Sequence, residues 1–184
     1  MSLAKTKNAP VALGTVSFAE SSFFPIPPDI LLIPMVVAKR QHWFIYASIC
    51  TIASVLGAFV GYYIGAMLFQ TIGAAVLEFY GAAHNFERFK DWYDQWGGWG
   101  ILLGALTPFP YKVLTIFSGS VGFDLITFTI VSIIGRGLRF FTVSALVYKF
   151  GEPIRIFIEK RLGLMFFLFC FLLIGGFVAV KFLI

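Results

Sequence analysis

Two arginines lie in the middle of a long apolar segment, where charged side chains are rare. Arg136 and Arg139 are the only charged residues within residues 125–148. Two residues spaced three apart share one face of a helix, so both guanidinium groups point the same way. Such a pair suits a phosphate, because each group forms forked, charge-assisted hydrogen bonds to its oxygens. The alternative is a structural role, in which the arginines pair with carboxylates or with carbonyl groups at helix breaks.

Two carboxylic acids flank a proline-rich turn near the start of the chain. Glu20 precedes this turn and Asp29 follows it. A carboxyl group removed from water can bind and release a proton, so both are candidates for proton exchange. Equally, either could pair with Arg136 or Arg139, and Asp29 could cap the helix after the turn. Lys112, after a second proline turn, is a candidate phosphate-binding residue or an ion-pair partner.

The composition indicates that these charges are held within a membrane. Hydrophobic residues make up 59% of the 184 residues and charged residues 12%, whereas soluble domains have about 25% charged residues. The mean hydropathy is +0.90. Residues 41–77 and 162–180 contain no Asp, Glu, Lys or Arg, and roughly 20 apolar residues cross a bilayer as a helix. We therefore predict an all-α polytopic membrane protein.

Three segments are long enough to span the bilayer as helices: residues 43–69, 125–148 and 162–180. The second is unusual because it carries both arginines. An arginine exposed to lipid at the centre of a helix costs at least about 2.5 kcal/mol. Arg136 and Arg139 must therefore face a protein partner or a wet cavity.

Two other apolar stretches are interrupted by prolines and are predicted to be re-entrant hairpins. They comprise residues 9–38 and 98–123, and a kinked ordinary helix is the alternative for each. Proline removes a helical hydrogen bond and clashes with the preceding turn, so closely spaced prolines break a helix. In lipid, backbone groups freed in this way must find partners in protein or in a wet cavity. The predicted hairpin turns contain Pro25, Pro27, Pro28, Pro108 and Pro110.

The two halves of the chain match each other at a constant offset of 83 residues, which places Pro25 on Pro108 and Asp29 on Lys112. The same offset places helix 43–66 on residues 126–149. The architecture is thus two repeats, each a hairpin plus a transmembrane helix, followed by an extra C-terminal transmembrane helix.

The distribution of basic residues predicts that the two repeats have opposite orientations. Basic residues favour the cytoplasmic side of a membrane, and here they cluster around residues 39–40 and 149–161. Residues 70–97 then form an external amphipathic segment, and residues 152–161 form a cytoplasmic interfacial helix. Inverted repeats with broken helices that meet near the bilayer midplane are typical of transporters.

Several other functions lack a sequence signal. No basic patch indicates nucleic-acid binding, and no metal-ligand cluster, nucleotide-binding loop or catalytic triad is recognisable. We therefore expect no metal, no cofactor and no enzymatic activity. The spacing of Gly57, Gly61 and Gly65 predicts a ridge at which another helix approaches closely.

The motifs around the proline turns resemble those of the DedA family of bacterial membrane proteins, which carry the VTT (SNARE-associated) domain. ESSFFPIPPDILLIPM at 20–35 resembles the first family signature. LTPFPYKVLTIFSG at 106–119 and GRGLRFF at 135–141 resemble the second, in the form of the YqaA-like branch. The similarity extends over about residues 18–150.

The resemblance implies a multi-pass protein of the bacterial inner membrane that moves lipids, including undecaprenyl phosphate or phospholipids. It assigns the functional acidic pair to Glu20 and Asp29. The main branch has arginines flanking the second turn, where this chain has Ala105 and Tyr111. Lys112 supplies one nearby charge.

We therefore predict a lipid transporter, or flippase, for an anionic lipid phosphate, with protons as the coupling ion. One alternative is a small-solute or cation/proton antiporter that uses the same acidic pair. Another is a non-transporting protein of membrane assembly or envelope integrity. Whether the chain forms a homo-oligomer is left open.

The orientation predicts which face of the membrane exposes residue 84. In a background lacking native cysteines, His84→Cys should react with a membrane-impermeant maleimide added outside intact cells. Gln41→Cys, beside the cytoplasmic basic cluster, should react only after permeabilisation. Labelling of position 84 only from the cytoplasm would contradict the inverted arrangement.

Overall fold

A computed structural model describes residues 8–23, 26–73, 79, 83–107 and 110–151. These residues form α-helices and short helical turns without any strand, which confirms the expected all-α class for this part of the chain. The predicted segments 152–161 and 162–180, together with Pro25 and Pro108, lie outside it. The α-helices are α1 (Ala9–Ser22), α2 (Asp29–Ala38), α3 (Trp43–Leu68), α4 (Ala83–Leu106), α5 (Tyr111–Val121) and α6 (Leu125–Phe150).

Two separate helices flank each proline motif. The last turn of α1 closes with the Phe23 N–H donating to the Ala19 carbonyl, and Pro28 is the N-cap of α2. Pro110 is likewise the N-cap of α5. Proline suits a helix start, because the first N–H groups of a helix have no partner within it. The prolines that interrupt one helix therefore also begin the next.

Glycines do not break α4 in the way that prolines break the other helices. The boundary predicted between segments 70–97 and 98–123 falls inside α4, which runs from Ala83 to Leu106. A glycine costs a helix only about 1 kcal/mol relative to alanine and keeps its N–H donor. The Tyr93 ring also covers Gly97, where an added Cβ would lie 2.7 Å from it.

Two long helices, α3 and α6, organise the packing. Residues Arg40–Gly73, which include α3, and Leu125–Phe150 are long and apolar enough to cross a membrane. Helix α1 packs on α3, and α4 packs on α6. The shorter helices cross over, because α2 packs on α6 and α5 packs on α3. Each of α3 and α6 therefore packs on the first helix of its own half and on the second helix of the other half. For α3 these are α1 and α5, and for α6 they are α4 and α2.

The start of α6 is fixed by a capping residue. Asp124 Oδ2 accepts a hydrogen bond of 2.7 Å from the backbone N–H of Thr127. This hydrogen bond lowers the pKa of the exposed Asp124 carboxyl group below its ordinary value. With α6 beginning at Leu125 and ending at Phe150, Arg136 and Arg139 lie near the middle of its 26 residues.

The glycine ridge of α3 is where both halves approach the backbone of this helix. A Cβ on Gly57 would overlap the backbone of Phe18 in α1, and one on Gly65 would overlap the carbonyl group of Ile116 in α5. At Gly61 the neighbours are Thr115 and Ser21, from α5 and α1. Small residues permit this close approach, which interhelical hydrogen bonds require.

Gly65→Ala should destabilise the fold, because the added methyl group meets a backbone carbonyl that cannot move aside independently of α5. We expect a loss of about 1–3 kcal/mol in the free energy of unfolding, as for other overpacked sites. Gly100→Ala is the matched control, since no atom lies within 4 Å of the added Cβ. Unfolding of the purified variants in mixed micelles measures both changes, and equal stability would contradict this account of the ridge.

Candidate functional site

The two arginines of α6 point into the protein. Arg136 is completely buried, and the side chain of Arg139 is 11% exposed. Each guanidinium group contacts a carboxylate from the first half of the chain, so the four charges form two ion pairs. The ion-pair interpretation of the carboxylates therefore holds, and it leaves a proton-exchange role open.

Arg136 joins the end of α1 to the middle of α3. Its Nη2 lies 2.5 Å from Glu20 Oε2, and Glu20 is itself 9% exposed. Its Nε donates a hydrogen bond of 2.6 Å to the hydroxyl group of Ser54. Two helices thus supply acceptors to a buried guanidinium group near the middle of a helix that is long and apolar enough to cross a membrane.

Aromatic rings cover the same guanidinium group. The Arg136 Cζ atom lies 4.8 Å from the ring centroid of Tyr111 and 4.7 Å from that of Phe140. The Tyr111 hydroxyl group donates a 2.5 Å hydrogen bond to Ser132, which fixes the ring. Cation–π contacts are strongest when the cation is desolvated, as it is here.

Arg139 connects the two proline motifs. Its Nη2 lies 2.6 Å from Asp29 Oδ2, at the first residue of α2. Its Nη1 donates a longer hydrogen bond of 3.3 Å to the carbonyl group of Thr107, which follows α4 and precedes the second motif. One side chain of α6 therefore holds the helix start after the first turn and the chain entering the second.

Lys112 follows Tyr111 in the chain and has no ion-pair partner in the part of the chain that the structure describes. It is half-buried in the first turn of α5, next to Tyr111. The carboxylates and arginines sum to zero formal charge, so Lys112 is the basic residue in excess.

Two buried atoms of the ion pairs also lack hydrogen-bond partners among the described residues. They are Asp29 Oδ1 and Arg136 Nη1. A buried polar atom without a partner costs about 1–3 kcal/mol, and more when the group is charged. A water molecule beside either atom would reduce this cost.

The predicted turn prolines have different environments. Pro28 is buried and Pro27 is exposed, while Pro110 is half-buried. Pro28 and Pro110 act as helix N-caps, and neither contacts the arginines through a hydrogen bond. Their contribution to the site is to end one helix and begin the next beside the charges.

Three partners of the arginines were not predicted from the sequence: Ser54, Tyr111 and Thr107. Ser54 could have been noticed, because it is three residues before Gly57 and so shares the packed face of α3. Tyr111 was considered only as a position where relatives carry arginine. Nothing in the local sequence indicated that the Thr107 carbonyl group would accept a hydrogen bond.

Comparisons with known proteins cover most of the site. A family model described as VTT domain matches residues 26–149, a range that excludes Glu20. An uncharacterized protein of Haemophilus influenzae is 33% identical over 165 residues, or 90% of this chain and 85% of that protein. Undecaprenyl phosphate transporter A of Staphylococcus aureus is 27% identical over 120 residues, or 60% of this chain and 59% of that protein. No solved structure matches the chain.

The buried Glu20–Arg136 ion pair is called the inner pair below. Removing one of its charges should lower the free energy of unfolding more than removing both. Glu20→Gln and Arg136→Gln should each lower the free energy of unfolding by about 3–5 kcal/mol, because each leaves one buried charge unpaired. The double variant, which removes both charges, should lose less than either single variant. Unfolding in mixed micelles gives these values.

Glu87→Gln and Arg88→Gln are matched controls, since both residues are exposed on α4. They should change stability by less than about 0.5 kcal/mol. Single changes at Glu20 and Arg136 that cost no more than these controls would show that the inner pair does not hold the fold.

Proposed function

Because the chain belongs to the VTT domain family, the DedA family that its motifs resemble, we propose that this membrane protein transports an anionic lipid phosphate across the bacterial inner membrane. The cargo class is a polyprenyl phosphate, such as undecaprenyl phosphate, or a phospholipid. The observation that carries the proposal is the pair of arginines at the middle of α6, each bound to a carboxylate beside a proline turn. The similarity to undecaprenyl phosphate transporter A gives further support.

The proposal includes a multi-pass topology with two re-entrant hairpins in inverted repeats. Three observations support it: the helix breaks at both proline motifs, the offset of 83 residues, and the crossed packing of the short helices. In an inverted repeat, the two proline turns approach each other near the midplane. Arg139 contacts residues beside both turns, as such an arrangement requires.

The phosphate-binding group would form by exchange of partners. Arg139 is paired with Asp29, and Lys112 has no anionic partner among the described residues. A lipid phosphate that reached this position would compete with Asp29 for Arg139 and would pair with Lys112 through charge-assisted hydrogen bonds. Arg136, which is fully buried, would add to the positive electrostatic potential at the phosphate without contacting it.

Protons would complete the exchange. When a phosphate displaces the Asp29 carboxylate, two anionic groups would lie close together, and uptake of a proton by Asp29 would remove their repulsion. After the lipid is released on the other side of the membrane, Asp29 would lose its proton and pair with Arg139 again. Glu20, paired with Arg136, is the second carboxylate that could take up a proton.

Reconstituted protein provides the test. Proteoliposomes that contain the purified chain and a fluorescent polyprenyl phosphate should expose lipid from the inner leaflet to a quencher added outside. A protonophore should reduce the rate. Asp29→Asn and Arg139→Gln should abolish translocation per folded molecule, because each removes one partner of the exchange. Arg88→Gln, an exposed change of the same chemical type, is the matched control.

The pattern of outcomes separates the proposal from its alternatives. Activity in cells that requires Glu20 and Asp29 but survives substitution of both arginines would favour a small-solute or cation/proton antiporter. Wild-type liposomes that move no lipid phosphate, although the protein is folded, would favour a non-transporting role in envelope integrity or membrane assembly. A fluorescent phospholipid tested in parallel would identify the preferred headgroup.

A further inference from the structure

The Glu20–Arg136 ion pair is part of a closed ring of four hydrogen bonds, which Ser54 and Ser21 complete. Glu20 Oε2 contacts Arg136 Nη2 at 2.5 Å, and Arg136 Nε contacts Ser54 Oγ at 2.6 Å. Ser54 Oγ lies 2.6 Å from Ser21 Oγ, and Ser21 Oγ lies 3.2 Å from Glu20 Oε2. Ser21 and Ser54 have no solvent exposure. The ring thus forms in a region from which water is excluded.

The chemistry of the four groups fixes the direction of every hydrogen in this ring. A guanidinium N–H can only donate and an ionised carboxylate can only accept. Ser54 therefore accepts from Arg136 and must donate its single hydrogen to Ser21. Ser21 must then donate its own hydrogen to Glu20. Glu20 Oε2 receives two hydrogen bonds, one from Arg136 and one from Ser21.

The two arginines are held to very different extents. Arg136 is buried on all sides, with aromatic rings within 5 Å and acceptors at both Nε and Nη2. Its remaining nitrogen, Nη1, has no exposed surface through which a headgroup could reach it. Arg139 is 11% exposed and has one ion pair and one hydrogen bond of 3.3 Å. Arg139 is the arginine that can change partner without dismantling a buried ring.

We propose that Ser54 is a positioning residue, which acts with Ser21 to hold Arg136 on Glu20 so that Arg139, and not Arg136, binds the lipid phosphate directly. This inference rests on the proposed transport function. It revises the role of Arg136 from a phosphate ligand to a fixed buried cation that sets the local potential. The hydroxyl group of Ser54 is the essential feature, because Arg136 Nε has no other acceptor among the described residues.

Arginine NMR tests the positioning role without any transport assay. The chain contains six arginines, so ¹⁵N-arginine labelling of the full-length protein in detergent gives few Nε–H signals. One signal should persist after transfer to deuterated water and should be absent from Arg136→Lys. It should exchange rapidly in Ser54→Ala and persist in Ser54→Thr, which retains the hydroxyl group. Arg139→Lys should leave it in place.

A second substitution guards against misfolding. Ser54→Cys has a similar volume and retains only a weak sulfur acceptor, so it should behave like Ser54→Ala. If neither Ser54→Ala nor Ser54→Thr folds, wild-type protein and Ser54→Cys suffice for the comparison. A persistent Arg136 signal in Ser54→Ala or Ser54→Cys would overturn the proposal, as would rapid exchange in the wild type.

The kinetic comparison then separates positioning from binding. Ser54→Ala should lower kcat by about 10- to 100-fold, as misplaced functional groups do, with KM for the lipid phosphate unchanged. Ser54→Thr should restore kcat. Arg139→Lys, which keeps the charge but loses the fork, should instead raise KM. A rise in KM with Ser54→Ala would overturn the division of roles.

Failure of the transport proposal would be separately visible. Wild-type protein that moves no lipid phosphate would remove the kinetic comparison, while the NMR comparison would still decide whether Ser54 positions Arg136. If the wild type transports lipid normally and the exchange of the Arg136 signal is the same in all Ser54 variants, only the inference about Ser54 is overturned.

Discussion

Burial of a guanidinium group near the middle of an apolar helix is the constraint on which the rest of this structure depends. Arg136 has no solvent exposure, so the partners of its charge must come from the protein. They come from the end of α1, the middle of α3 and the start of α5. Those three helices and α6 must therefore meet at one depth, and their meeting point fixes the arrangement of both halves.

Close backbone packing follows from the same requirement. Short polar side chains can hydrogen-bond between helices only when the helix axes are close, and the α3 glycines make this possible. Ser22 donates to the Gly57 carbonyl group, and Thr115 donates to the Ser21 carbonyl group. These hydrogen bonds satisfy backbone groups near the break that ends α1. The glycine ridge and the buried ion pairs are parts of one solution to the exclusion of water.

The two ion pairs differ in how easily their partners could be exchanged. The inner pair is enclosed by hydroxyl groups and aromatic rings, so it resists change. The outer pair joins Asp29 to Arg139, which also reaches Thr107 beside the second proline motif. A change in the charge of Asp29 would therefore act at both motifs together. The proposed binding and release of an anion uses this combination of a fixed charge and an exchangeable one.

The sequence by itself determined the helical class, the helix breaks at the prolines and the charged residues of the site. These features follow from local physics: the length of apolar runs, the missing proline N–H, and the cost of isolated charge in lipid. Tertiary structure decided the pairing of Glu20 with Arg136 and of Asp29 with Arg139, and it brought Ser54 and Tyr111 to the site. It also kept α4 continuous through its glycines, because helix packing outweighed their small local cost. Ser54 is separated from its arginine partner by 82 residues of chain, and the two carboxylates are separated from theirs by 116 and 110. Local sequence patterns carry no information about which helices meet across such separations.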